Sequence, residues 1–117
     1  FDTGSIFGIE LMATFWVTMV WLFSLDLGQA PCGRHRDAQG PMYIGFAYIL
    51  ATALTVRWDR AGLNPARSLG PSIMANKLDQ HWVFWMGPMI GGMSGALVFE
   101  LFLWLSPGNR AEKKQAF

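Results

Sequence analysis

Residues 56–81 read VRWDRAGLNPARSLGPSIMANKLDQH, a partly apolar segment broken by helix-disrupting residues. Ala, Leu, Ile and Met recur through it, but Gly62, Pro65, Gly70 and Pro71 interrupt every apolar run. It is therefore not a full membrane crossing, which needs about 20 predominantly apolar residues. Asn64 followed by Pro65 marks a helix start: an Asn side-chain oxygen caps free backbone N–H groups, and a proline at the first helical position has no N–H to leave unpaired. A helix running from Pro65 to about Met74 rises only about 15 Å. Such half-length elements occur at membrane depth only when buried in protein or lining a water-filled cavity. Residues 65–74 are thus expected to form a re-entrant, pore-lining half-helix.

The flanking segments set the context. Upstream, IFGIELMATFWVTMVWLFSL (residues 6–25) is a nearly unbroken apolar run, long enough as a helix to cross a hydrocarbon core about 30 Å thick. It closes at Asp26, and DLGQAPCGRHRDAQGP (26–41) reads as a loop rich in Gly, Pro and charge. Pro41 suits a first helical turn. MYIGFAYILATALTV (42–56) is short for a span and must extend toward Trp58 or begin earlier. WVFWMGPMIGGMSGALVFELFLWL (82–105) is apolar again, and the polar tail 106–117 is expected to be cytoplasmic.

Composition agrees with this reading. Of 117 residues, 52% are apolar and 15% charged, against about 25% charged in an ordinary soluble domain. Six Trp, nine Phe, seven Met and 13 Gly suit a protein with aromatic belts and closely packed helices in a bilayer. A net charge of +1 provides no field for nucleic acid, and the lone Cys32 rules out an internal disulfide framework. The chain starts at Phe1, and no basic leader precedes Glu10, so nothing resembles a signal peptide and a fragment is expected. The expected fold is an all-α membrane protein with transmembrane helices at about 6–26, 41–58 and 82–105 and a half-helix at 65–74. Basic residues orient it weakly: Arg34, Arg36, Arg110, Lys113 and Lys114 fall on the side expected to be cytoplasmic. Arg57, Arg60, Arg67 and Lys77 fall opposite, unless Arg67 belongs to the half-helix.

Asn64-Pro65-Ala66-Arg67 carries the chemistry. The positive end of the half-helix and its free amide donors favour water oxygens and disfavour cations. Carbonyls of Ala61, Gly62 and Leu63 in the extended approach would add acceptors along the same wall. Taken alone, the same four residues equally cap an amphipathic surface helix. Glu10 lies inside a span, where an acid is costly unless partnered and so marks a candidate functional site; the alternative is an interfacial position, about one turn in. Glu100 lies near the expected cytoplasmic end, within reach of water. Gly87, Gly91 and Gly95 recur every four residues and allow a neighbouring helix to approach closely. Pro88 bends its helix or marks its first turn. Trp58, Trp82, Trp85 and Trp104 read as interfacial anchors, although Trp85 could instead pack behind the half-helix. His81 lies at a membrane boundary with no second ligand at suitable spacing, so no metal site is expected, and His35 reads as solvated.

GLNPARSLGPS (62–72) followed by HWVFWMGPMIGGMSGALVFE (81–100) resembles the C-terminal half of the aquaporin, or major intrinsic protein, family. The resemblance runs from about Phe7 to Leu105. It implies a six-helix inverted-repeat bundle whose N-terminal half, with a first Asn-Pro-Ala motif, would precede this chain, and four such pores associated as a homotetramer. It also implies that Arg67 lines a selectivity filter and that Glu10 accepts hydrogen bonds from backbone N–H groups of the re-entrant loop. By the family's spacing Thr52 and Ala61 occupy two further filter positions. Thr52 stands where most water-selective members carry histidine, so the opening would be wider than usual; a threonine in a span also commonly bonds its own helix backbone. Ser68, Phe84 and Trp85 match water-type rather than glycerol-type members. Within the family, SLGPS, NKLDQHWVFW and GGMSGALVFE look most similar to the big brain type of insect neurogenic proteins, associated with cation conductance and cell contact.

No nucleophile–base pair, phosphate-cradling glycine loop or close carboxylate pair is present, so an enzyme is not expected. Nor is a cofactor or metal. The leading expectation is half of a passive channel in the bilayer, multi-pass and at the plasma membrane, conducting water or another small neutral solute. The alternative is a big-brain-like membrane protein acting in monovalent cation conductance or in adhesion and signalling.

Overall fold

The computed structural model describes residues 2–27, 39–59 and 62–106. They form four helices: α1 (Thr3–Leu27), α2 (Gln39–Asp59), α3 (Pro65–Met74) and α4 (Val83–Leu105). The loop 28–38 and the tail 107–117 lie outside the described residues. Two helices, over Thr3–Leu25 and Val83–Leu105, are long and apolar enough to cross a membrane. α2, at 21 residues, is about 31 Å long. Its body carries Tyr43, Tyr48, Thr52 and Thr55 and its last turn Arg57, and it falls short of that apolar standard. The short apolar run at 42–56 does extend at both ends. Pro41 takes a place in the first turn, where its missing N–H breaks no helical hydrogen bond. α1 likewise begins earlier than its apolar run, because the Asp2 carbonyl accepts from the N–H groups of Ser5 (3.0 Å) and Ile6 (3.2 Å) and so winds a first polar turn.

α1 is the centre of the chain: it packs against α4 and α2, whereas α3 touches α4 alone. The α1–α4 seam is built on the glycines at 87, 91 and 95, all buried. A Cβ on Gly91 would collide with the Leu11 carbonyl oxygen, and one on Gly95 would fall 3.2 Å from both the Phe15 carbonyl oxygen and Thr18 Cβ. With no side chain between them the two backbones touch, which is how helices associate where lipid offers no hydrophobic drive. The seam closes with Phe7 against Trp82 (6.1 Å) at one end. At the other, Phe23 stands edge-on to Phe99 (5.0 Å) and Phe102 (5.3 Å).

The order of these contacts fixes direction. Residues 7, 11, 15 and 23 of α1 meet Trp82, the N-cap of α4, and Gly91, Gly95 and Phe99 within it in ascending order, so the two helices are parallel. Gly40 meets Ser24, so α2 returns antiparallel to α1. The C-terminal end of α2 and the N-terminal end of α4 therefore lie at the same end of the bundle.

α3 stops for a local reason. Asn76 adopts φ 49° just past the C-cap Ala75. The N–H groups of Asn76 and Lys77 bond back to the carbonyls of Ile73 and Ser72, both at 3.0 Å, the pattern by which a left-handed residue closes a helix. Outside the seam the helices are apolar on their exposed faces too: Phe46, Ile49, Leu54, Leu97 and Trp104 are all more than half exposed. Helices apolar all round belong in lipid or against other helices.

Gly91→Ala should lower the thermal unfolding midpoint of the purified protein in detergent, at a cost of about 2 kcal/mol. Gly45→Ala, on α2 with nothing near its missing Cβ, should leave it unchanged or raise it. Equal midpoints for the two variants would contradict the contact geometry of the seam.

Candidate functional site

The approach to α3 is held from inside the bundle. Glu10, in the third turn of α1, is completely buried, and its Oε2 accepts a hydrogen bond from the Leu63 N–H at 2.7 Å, 53 residues away in sequence. Leu63 has φ 51°, a left-handed conformation that costs an ordinary side chain about 1–2 kcal/mol. Two terms offset this. A buried hydrogen bond contributes about 0.5–1.5 kcal/mol, and burying a leucine side chain contributes about 1.5–3 kcal/mol. The Leu63 side chain, 7% exposed, packs with Val17 of α1 and Ala51 of α2, with Ala13 beside them.

These neighbours give the depth of the turn. Ala13 and Val17 flank the midpoint of α1, and Ala51 lies close to that of α2. Leu63 thus reaches about half-way along the bundle before the chain turns back. Gly62 makes the passage possible: a Cβ there would collide with Glu10 Oε1 and come within 2.8 Å of Phe84 Cδ1. Only a residue without a side chain fits between the carboxylate and that ring.

Asn64 follows in extended conformation (φ −150°, ψ 123°) as the N-cap of α3, with Pro65 at the first position. Its Oδ1 accepts from the Ala66 N–H at 2.9 Å, which leaves the carboxamide nitrogen as a donor on the exposed side. The Ser68 hydroxyl donates back to the carbonyls of Asn64 (3.2 Å) and Pro65 (3.1 Å), and Ser72 donates to Ser68 (2.8 Å), tying down the first turns. Arg67 lies one turn in and is exposed, as is Ala66. No residue of α3 is buried. Among the described residues no backbone N–H bonds to the carbonyl of Gly62 or Leu63.

The remaining sequence candidates divide. Thr52 is half-buried on α2, and α2 makes no contact with α3. Ala61 lies outside the described residues. Gly87 does more than line the seam: its missing Cβ would fall 2.8 Å from Glu10 Cβ. His81, expected at a boundary, is 9% exposed and stacks on Phe84 at 5.6 Å. The contacts of Phe84 and Gly87 with the Gly62–Glu10 pair were not legible from spacing, since they join three segments distant in sequence. The one available sign was the concentration of Gly and aromatic residues between 81 and 92.

A buried acid on an apolar helix long enough to cross a membrane thus bonds to the residue before a capped helix of ten residues. A profile described as Major intrinsic protein matches residues 1–99. The chain belongs to the major intrinsic protein family. It is 36% identical to Aquaporin-1 of Sus scrofa over 104 residues, covering 87% of this chain and 36% of that protein. It is 40% identical to Neurogenic protein big brain of Drosophila melanogaster over 94 residues, 80% of this chain and 12% of that one. To Aquaporin PIP1-3 of Arabidopsis thaliana it is 36% identical over 106 residues, 88% of this chain and 37% of the relative. The chain thus spans little more than a third of the aquaporins it matches.

Glu10→Ala removes the acceptor for a buried N–H and leaves a void, and should cost about 3 kcal/mol. Hydrogen exchange at the Leu63 amide should accelerate strongly in that variant and only modestly in Glu10→Gln, which keeps a carbonyl acceptor. Unchanged protection of Leu63 in Glu10→Ala would show that the carboxylate does not hold the loop.

Proposed function

We propose that this chain is one half of a passive water channel, in which α1, α2 and α4 cross the bilayer and α3 is re-entrant. The carrying observation is the mid-bundle turn at Leu63, held by Glu10. From this turn a helix of ten residues runs back toward the end at which α4 begins. In this reading the Asn64 carboxamide, the N-terminal end of α3 and Arg67 face the permeation path. The carbonyls of Ala61, Gly62 and Leu63 supply acceptors along the same wall, and Thr52 borders the constriction. Donors and acceptors in file suit a chain of water molecules, while the guanidinium and the positive helix end repel cations, as is general for aquaporin-type pores. The exposure of α3 supports a partner surface there. That surface belongs to a preceding N-terminal half carrying a first Asn-Pro-Ala motif, and the complete pores assemble as a homotetramer in the plasma membrane.

The test is osmotic swelling and membrane current measured side by side in oocytes expressing the complete polypeptide. Swelling without current is expected. Current without swelling would instead favour monovalent cation conductance, and neither would favour an adhesive or signalling role. Arg67→Val should admit a proton or cation leak while leaving swelling. A variant as selective as the parent would remove Arg67 from the constriction.

A further inference from the structure

Glu10 is gripped at both ends of its side chain by glycines from two other segments. At its base, the Gly87 backbone lies against Glu10 Cβ, at 2.8 Å from where a Gly87 Cβ would sit, with the Phe7 carbonyl oxygen 3.4 Å and the Leu11 nitrogen 3.5 Å from the same point. At its tip, Gly62 lies against Oε1 and 3.1 Å, on the same measure, from Cδ. Phe84, one turn before Gly87 on α4, closes the far side of Gly62, 2.8 Å from its missing Cβ, and His81 stacks behind Phe84. The first turns of α4 therefore touch the carboxylate's base directly and its tip through the Phe84 ring and Gly62.

From this geometry we infer that Gly87 is a positioning residue for permeant selectivity, acting with Gly62 to fix the Glu10 carboxylate and, through it, the Leu63–Asn64 wall of the pore. This rests on the channel reading above. A side chain at 87 presses on Cβ of Glu10, which is too close to the backbone to swing aside, so the carboxylate or the whole of α4 must move. Either movement draws Oε2 away from the Leu63 N–H, and the wall shifts with it. Gly95 separates this role from simple helix contact. It lies in the same seam but borders Phe15 and Thr18 rather than Glu10.

The experiment measures the ratio of glycerol to water permeability in oocytes at matched surface levels of the complete polypeptide. Gly87→Ala should change the ratio about fivefold, as expected for directly coupled neighbours, while Gly95→Ala leaves it unaltered. An unaltered ratio in Gly87→Ala, or an equal change in both, overturns the inference. A second pair guards against misfolding. Gly62→Ala crowds the carboxylate and Glu10→Asp withdraws it, so Glu10→Asp should partly restore the ratio of Gly62→Ala, or its surface level if that variant is retained in the cell. Absence of any such recovery counts against the clamp. If the parent protein itself passes neither water nor glycerol, the channel reading fails, a result distinct from a working channel whose ratio ignores residue 87.

Discussion

The hydrogen bond from the Leu63 N–H to the buried Glu10 carboxylate is the constraint around which the rest of the chain is arranged. A carboxylate away from water is costly unless hydrogen-bonded, and a leucine in left-handed conformation is costly unless held. Each satisfies the other. The bond also fixes a distance: it sets the approach to α3 at the level of the third turn of α1, and the Leu63 side chain carries it further in, to Val17 and Ala51. Without that anchor the glycines and prolines of 62–71 would define no depth.

The α1–α4 seam serves the same end. Parallel helices in contact along three glycines keep Glu10 facing the interior and bring Gly87 and Phe84 to it. Two classes of glycine are at work. Gly91 and Gly95 allow backbone to meet backbone, whereas Gly62 and Gly87 leave room for a single acidic side chain. A periodic small-residue pattern in a membrane helix thus carries different meanings at successive positions, and only the partner across the seam tells them apart.

Much of this was legible in the sequence. The start of α3 follows from Asn64-Pro65, because caps are local chemistry, whereas its end rests on the left-handed Asn76, which the sequence does not announce. The long apolar runs gave α1 and α4, with the shortfall at α1 arising because hydropathy does not register a polar first turn such as Thr3–Ser5. α2 was least clear, since Tyr, Thr and Gly dilute its apolar signal, and it has the length of a span without the hydropathy of the other two. The interior position of Glu10 was one of two sequence readings and needed the tertiary contact with Leu63 to decide it. The burial of His81 and the double contact of Glu10 with Gly62 and Gly87 were invisible, because they depend on how three remote segments meet.

The span of 53 residues between the partners has a bearing on biosynthesis. When α1 leaves the ribosome its acid has no Leu63 amide to meet, and at about 5–20 residues per second several seconds pass before that amide is made. α4, which covers the carboxylate from the other side, arrives later still. A helix whose acid is partnered only by later segments reaches its final packing only after Leu63 and α4 have been made.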